Sequence, residues 1–418
     1  MQRPPVTLEV AGDKSISHRA LLLAALSPAT SRLSNLNAGH DVACTAAALE
    51  RCGVEVVRQG NDVRVRGGLL RDPVGVLHLG NSGTGVRLLA GLLAGAGIEA
   101  TLDGDASLRS RPMDRIVEPL RAMGADVTAE RDGRYLPLHL RRSALRRLDY
   151  DLPVASAQVK SCLLLAGLAA NVPLRLRESV PTRDHTERLL GALGARLYIE
   201  DGELVLEPSL PLRPLQARIP GDISGAAFFV GLAVLVPRLC LSLPGLGLNP
   251  RRTAFLEILR SMGGDIRLSP GADEAGEPVG DLQVRHAGGL VGVDVPPALV
   301  PALIDEIPLL AVVASRARGV TRIRGAGELR LKESDRIASL AAGLRAVGGA
   351  VEELDDGLRI EGMDRPPAGR VETRLDHRVA MAFAVLGRVP GAAIELSETA
   401  SIATSFAEFP ELLARAVA

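Results

Sequence analysis

A leucine-anchored helix end that closes on glycine and runs into an apolar strand recurs five times along this chain. The copies read LERCGVEV (49–56), LRAMGADV (120–127), LGALGARL (190–197), LRSMGGDI (259–266) and LRAVGGAV (344–351). Their glycines, Gly53, Gly124, Gly194, Gly263 and Gly348, are 71, 70, 69 and 85 residues apart. Glycine enters the left-handed conformation that ends a helix without a Cβ penalty. Each copy therefore predicts an amphipathic helix, a sharp stop and a strand. One supersecondary unit repeated near 70 residues can bury its apolar face only against other copies of itself. At the C-terminus LLARAVA supplies the helix of a sixth copy.

A second element lies between the copies: a short polar loop opening an apolar helix. It reads GDKSISHRALLLAAL from Gly12, GNSGTGVRLLAGLL from Gly80, SAQVKSCLLLAGLAA from Ser156, GDISGAAFFVGLAVL from Gly221, IDEIPLLAVVA from Ile304 and DHRVAMAFAVL from Asp376. Capping residues followed by a nearly all-round apolar run predict a buried helix whose N-terminus faces a polar site. Lys14, Arg19, Arg87, Lys160 and Arg378 follow these loops within the first two turns. A cation there opposes the helix dipole unless an anion sits nearby, so the set implies a polyanionic small ligand. Six units predict an α/β protein of two pseudo-threefold lobes, three helix–strand units in each. The midpoint falls at PSLPLRPLQARIPGD, and a cleft between lobes is where six helix starts would converge.

The length of 418 residues suits two or three domains. Lys plus Arg total 49 and Asp plus Glu total 49, which disfavours a dedicated nucleic-acid binder. Aromatics are 2%, with no Trp, which removes stacking platforms and membrane-interface belts. The apolar runs fall short of the roughly 20 residues that span a bilayer, and Met1 to Val10 does not read as a signal peptide. Cys44, Cys52, Cys162 and Cys240 form no CxxC pair, and read as reduced thiols of a cytoplasmic protein. Only three of the 49 basic residues are lysines: Lys14, Lys160 and Lys332. A compact, titratable ammonium is not interchangeable with a planar guanidinium, so all three are site candidates.

The polar clusters GDKSISHR (12–19), GNSGTGVRLL (80–89), SLRSRPMDR (107–115), SAQVKS (156–161), RLKESDRI (330–337) and DHRVAMAF (376–383) resemble 5-enolpyruvylshikimate-3-phosphate synthase. The resemblance runs in order from about residue 8 to residue 410. It implies the two-lobed enolpyruvyl transferase fold, an inverse α/β barrel, with residues 13–220 as one lobe and 1–12 plus 221–418 as the other. It implies transfer of the enolpyruvyl group of phosphoenolpyruvate to the 5-hydroxyl of shikimate 3-phosphate, releasing phosphate. A monomer without cofactor or metal is the family expectation.

Two phosphates and a carboxylate bring about four to five negative charges to be neutralised. The resemblance assigns Lys14 and Arg111 to phosphoenolpyruvate, with Arg336 and Arg378 as forks for its acidic groups. Gly83 lets backbone N–H groups approach the ligand, and Gln158 contacts both substrates. Ser15, Arg19, Ser156 and Lys332 are expected at shikimate 3-phosphate, with the Ala157 backbone N–H at the phosphate. Carbon 3 of the enol ether must gain a proton and the 5-hydroxyl must lose one, and two carboxylates in different surroundings can divide that work. Asp305 is the expected base and Glu333 the expected proton donor. His18, Arg87 and Asp335 read as supporting or capping residues. Lys160, Arg183, His185 and Glu328 receive no assigned role. SAQVK is the form whose members often tolerate glyphosate, a possible inhibitor here, whereas an unsubstituted Gly83 points to sensitivity.

Two other functions fit parts of this pattern. The sister enolpyruvyl transferase acting on UDP-N-acetylglucosamine carries a reactive cysteine in a loop whose counterpart, residues 103–115, has none. A non-catalytic phosphometabolite sensor would not need both Asp305 and Glu333. A nucleotide hydrolase is excluded because GNSGTG lacks the GxxxxGK pattern followed by Ser or Thr.

Overall fold

The structure, a computed structural model, describes residues 4–418. The five repeated glycines all sit in the left-handed region, with φ of +90° at Gly53, +96° at Gly124, +79° at Gly194, +103° at Gly263 and +92° at Gly348. Each follows a helix, respectively His40–Arg51, Asp114–Ala122, His185–Ala192, Ala254–Ser261 and Arg336–Ala346. A strand comes next in every case: Glu55–Gln59, Asp126–Ala129, Leu197–Glu200, Asp265–Pro270 and Ala350–Leu354. The sixth helix is Phe409–Val417.

The chain forms two compact units. One comprises the segment preceding Gly12, Pro220–Ala272 and Pro278–Ala418; the other comprises Gly12–Ile219 and Asp273–Glu277. The divisions differ from the expected 13–220 and 221–418 by one residue at each crossing, and Asp273–Glu277 groups with the Gly12–Ile219 unit. That grouping has a polar cause. His185 Nδ1 lies 2.7 Å from Glu277 Oε1, both side chains buried, and Arg188 donates to the Gly276 carbonyl at 2.9 Å.

In the Gly12–Ile219 unit one sheet pattern appears three times: a parallel edge pair, then two antiparallel strands. Val76–His78 pairs parallel with Ala100–Asp103, which is antiparallel to Tyr135–Arg141, itself antiparallel to Asp126–Ala129. Leu148–Leu152, Leu174–Glu178, Glu203–Leu206 and Leu197–Glu200 repeat the order. Gln216–Arg218, Ser31–Ser34, Asp62–Arg66 and Glu55–Gln59 form the third sheet. In the other unit Val6–Thr7, Cys240–Gly247, Val279–Arg285 and Asp265–Pro270 follow the same rule. There, Val320–Ile323, Gly357–Glu361 and Ala350–Leu354 replace the parallel edge by bridges at Val291–Arg318 and Asp294–Arg322. The last sheet holds only the parallel pair Ala368–Val371 and Ala393–Leu396.

The six loop-opened helices are Lys14–Ala24, Gly83–Gly95, Ala157–Ala170, Ile223–Leu235, Ile307–Ala314 and His377–Leu386. Asp13, Ser82, Ser156, Asp222 and Asp376 cap five of them through their side chains, and only Glu306, ahead of Ile307, does not. The helices pack closely within each unit because small residues face their neighbours. A Cβ on Gly91 or Gly95 would come within 2.2 Å of the Cys162 or Ala166 carbonyl oxygen, so helix 83–95 lies backbone to backbone against helix 157–170. All six phenylalanines belong to the Pro220–Ala418 side, where Phe228, Phe229, Phe406 and Phe409 pack edge-on or tilted with centroids 5.6–6.1 Å apart. Among the described residues no single helix is long and apolar enough to cross a membrane.

Candidate active site

In the Gly12–Ile219 unit the polar loops hold their candidate residues by capping and by bonds between neighbouring helix starts. Lys14 opens helix Lys14–Ala24, which Asp13 caps by accepting from Ile16 N at 2.8 Å. A lysine at that end opposes the dipole, and Asp41 answers it with Oδ2 3.1 Å from Nζ. Gly83 opens the next helix. A Cβ there would lie 3.1 Å from one guanidinium nitrogen of Arg111 and 3.1 Å from one of Arg87. Arg111, itself buried, donates to Asn81 and, at 3.3 Å, to Ser107.

Arg87 is more central than its sequence context suggests. It donates to Gln158 Oε1 at 2.8 Å and to the Pro112 carbonyl at 2.9 Å, and Gln158 Nε2 reaches Thr84 at 2.9 Å. One guanidinium thus ties the GNSGTG loop, the loop carrying Arg111 and the SAQVK helix start. Ser156 caps that helix, so Ser156, Ala157 and Gln158 stand together at its N-terminus. Arg19 points inward: Nε reaches Thr186 and Nη2 reaches Ser161, both at 2.8 Å, while Nη1 donates to the Ser15 carbonyl at 2.9 Å. These three bonds hold the first turn that displays Lys14 and Ser15.

Lys160 has no exposed side-chain surface, and its ammonium sits between Glu178 at 2.8 Å and Glu187 at 2.6 Å. Glu178 also receives the Thr182 backbone N–H at 3.3 Å and its hydroxyl, which anchors the PTRDH loop beside the SAQVK helix. No single-sequence pattern announced either glutamate, because they lie 18 and 27 residues away.

His18 is fully buried, with Nδ1 2.8 Å from Thr45 Oγ1 and Nε2 3.4 Å from Ser82 Oγ. Burial, aided by the Lys14 charge, lowers its pKa from 6.5 to about 3. The folded ring therefore stays neutral where the unfolded chain would protonate. Its contribution to stability is complete above pH 6.5 and is lost as the pH falls towards 3. Across that window His18 should cost about 1.4 kcal/mol per pH unit. Denaturant titrations of wild type and His18→Gln between pH 7 and pH 4 are expected to diverge by this slope, and parallel curves would refute a neutral buried ring.

The other unit gathers Asp305, Lys332, Glu333, Arg336 and Arg378. Arg336 is 1% exposed: Nε lies 2.8 Å from Asp376 Oδ2 and Nη2 meets Glu333, whereas Nη1 faces Asp305 Oδ1 at 3.7 Å, beyond hydrogen-bond reach. Its pKa is raised: burial works against the charge, but Asp376, Glu333 and Asp305 outweigh it. Burial would raise the Asp376 carboxyl, but Arg336 prevails and holds it below the usual carboxylate range. Asp376 also caps helix His377–Leu386 through Arg378 N at 2.9 Å and Val379 N at 3.3 Å. Arg378 donates to the Asp305 backbone carbonyl at 2.9 Å, with Nε 4.0 Å from its carboxylate. Burial lowers the Lys332 ammonium, against the pull of Asp305 and Glu328. Glu328 itself is exposed, and Asp335 caps helix Arg336–Ala346. Arg336 thus already holds protein carboxylates at two of its nitrogens.

Each unit brings its own candidates into one connected cluster. One cluster is rich in cations and helix starts; the other places two carboxylates against arginines and a depressed lysine. The family profile described as EPSP synthase (3-phosphoshikimate 1-carboxyvinyltransferase) matches residues 4–413. A 3-phosphoshikimate 1-carboxyvinyltransferase from Sphingopyxis alaskensis is 46% identical over 97% of this chain and 95% of its own. The solved EPSP synthase of Acinetobacter baumannii superposes with a TM-score of 0.86 at 38% identity, covering 98% of this chain and 95% of that one. The enolpyruvyl transferase NikO from Streptomyces tendae shares the fold, with a TM-score of 0.75 at 19% identity over 99% of this chain and 94% of its own. With repeats, caps and both clusters inside the matched span, the chain belongs to the EPSP synthase family.

Proposed function

We propose that this protein transfers the enolpyruvyl group of phosphoenolpyruvate to the 5-hydroxyl of shikimate 3-phosphate and releases phosphate. Family membership supports the reaction, and the observation that carries the chemistry is the grouping of Asp305 and Glu333 around Arg336 beside Lys332. Addition needs a base for the hydroxyl and an acid for carbon 3, and paired carboxylates next to fixed cations meet both needs. In the addition Asp305 takes the hydroxyl proton, Glu333 delivers one to carbon 3 and the 5-oxygen bonds to carbon 2. In the elimination carbon 3 gives up a proton as the carbon 2–phosphate bond breaks and phosphate leaves. Lys14, Arg111 and Arg378 neutralise phosphoenolpyruvate, with Gly83 leaving room at the helix start. Ser15, Ser156, Ala157, Gln158 and Lys332 receive shikimate 3-phosphate. Arg336 acts chiefly by holding Glu333 and Asp376 in place, and Arg19 by holding Ser15.

Glyphosate, which also joins an anionic phosphorus group to a carboxylate, would compete for the Lys14 and Arg111 cations. A monomer working in the cytoplasm completes the proposal.

Three of the four thiols argue against the sister reaction. Burial pushes Cys52 up to about 11 and Cys162 up to about 12, and burial with Asp41 raises Cys44, so these three carry little thiolate at neutral pH. A coupled phosphate-release assay separates the possibilities. Release is expected with phosphoenolpyruvate plus shikimate 3-phosphate and not with phosphoenolpyruvate plus UDP-N-acetylglucosamine. The reverse pattern would establish the sister activity. Binding of both substrates without any release would make the protein a sensor.

A further inference from the structure

The residue after Asp305 leads into a buried polar chain that the reaction does not use. Glu306 is 1% exposed, and its Oε1 accepts from the Ser224 hydroxyl. The Ser224 oxygen in turn accepts from Arg252 Nη2 at 2.5 Å, and Arg252 is 2% exposed. The donors run one way: guanidinium to hydroxyl, hydroxyl to carboxylate. Asp222 Oδ1 lies 3.9 Å from the same Arg252 nitrogen and accepts from Ser224 N at 2.8 Å, which fixes Ser224 at the start of helix Ile223–Leu235.

Glu306 ends a three-residue turn between helices Val300–Leu303 and Ile307–Ala314, at a bend of 118°. Asp305 occupies the middle of that turn. From one direction Arg378 and Arg336 hold its carbonyl and face its carboxylate; from the other, Ser224 and Arg252 hold the neighbouring side chain. Burying a carboxylate is expensive, and an apolar residue would pack the same space without that cost. A hydrogen bond supplies direction, which packing alone does not, and a reacting group displaced by about 1 Å can lose 10²-fold in rate.

We propose that Arg252, Ser224 and Glu306 form a positioning relay that sets the orientation of Asp305. The relay rests on the reading of Asp305 as the base. Thr and Val have the same shape and differ in the hydroxyl, so Ser224→Thr and Ser224→Val impose the same extra bulk. Ser224→Val is expected to turn over about tenfold more slowly than Ser224→Thr, with KM for both substrates within about threefold. A second pair guards against misfolding. Glu306→Gln still accepts from Ser224 and should stay near wild-type kcat, whereas Glu306→Met should lose about tenfold. In an Asp305→Asn background the Thr–Val difference should vanish, because the relay acts through that carboxylate. Equal kcat in Thr and Val variants, or a difference that survives in that background, overturns the relay. Unchanged kcat in Asp305→Asn alone overturns instead the base assignment beneath it.

Discussion

Asp305→Asn and Glu333→Gln are each expected to lower kcat by about 10²-fold or more while shikimate 3-phosphate still binds measurably. Both amides keep the volume of the acids and one acceptor oxygen, and remove the negative charge and the ability to exchange a proton. The fold should survive either change. Arg336 retains Asp376 at 2.8 Å in both variants, so no buried guanidinium loses its last counter-charge. The two carboxylates nevertheless occupy different surroundings. Asp305 stands 3.7 Å from Arg336 and 4.0 Å from Arg378, on a turn between two helices. Glu333 touches Arg336 directly, three residues before it, with Lys332 alongside. Phosphate release gives kcat, and calorimetry gives binding of shikimate 3-phosphate. Wild-type kcat in either variant removes that residue from proton transfer, and loss of binding together with kcat would make it a substrate ligand only.

Local signals were legible in the sequence; partners distant along the chain were not. Gly53, Gly124, Gly194, Gly263 and Gly348 mark helix ends because a positive φ is a property of one residue and its immediate neighbours. Asp13, Ser82 and Asp376 mark helix starts for the same reason, since a cap bonds within three residues. The periodic spacing then implied repeated sheets, and the parallel-then-antiparallel order recurs in four complete copies. Partnerships that cross long stretches left no such trace. Lys160 looks like one more cation at a helix start until Glu178 and Glu187 close around it. Arg336 reads as a fork for phosphoenolpyruvate and Arg19 as a residue at shikimate 3-phosphate, yet most of their nitrogens are committed to protein oxygens. Arg87 reads as support and proves to be the link from Pro112 to Gln158. The grouping of Asp273–Glu277 with residues 12–219 depends on a His185–Glu277 contact across 92 residues. Periodicity reports which face is apolar, not which buried charge answers another.

Lys14→Arg should lower kcat/KM for phosphoenolpyruvate by on the order of 10²-fold, the scale of losing one preorganised donor, although the charge is kept. The reason lies in Asp41. Lys14 offers a point charge on a flexible stem, 16% exposed, whose Nζ meets one Asp41 oxygen at 3.1 Å and can turn its other donors elsewhere. The second Asp41 oxygen, Oδ1, is buried without a hydrogen bond among the described residues. A guanidinium is planar and longer, and it matches a carboxylate through two parallel bonds. Arginine at position 14 would therefore close on both oxygens of Asp41 and draw the cation back against helix His40–Arg51. The start of helix Lys14–Ala24 would lose the donor aimed at the ligand. Shikimate 3-phosphate alone should bind within a few-fold of wild type, because Ser15 and its Arg19 support are untouched. Replacing Asp41 by Asn in the Lys14→Arg background should restore part of the loss by releasing the fork. Near-normal kcat/KM in the single variant would make Lys14 a structural partner of Asp41 and nothing more.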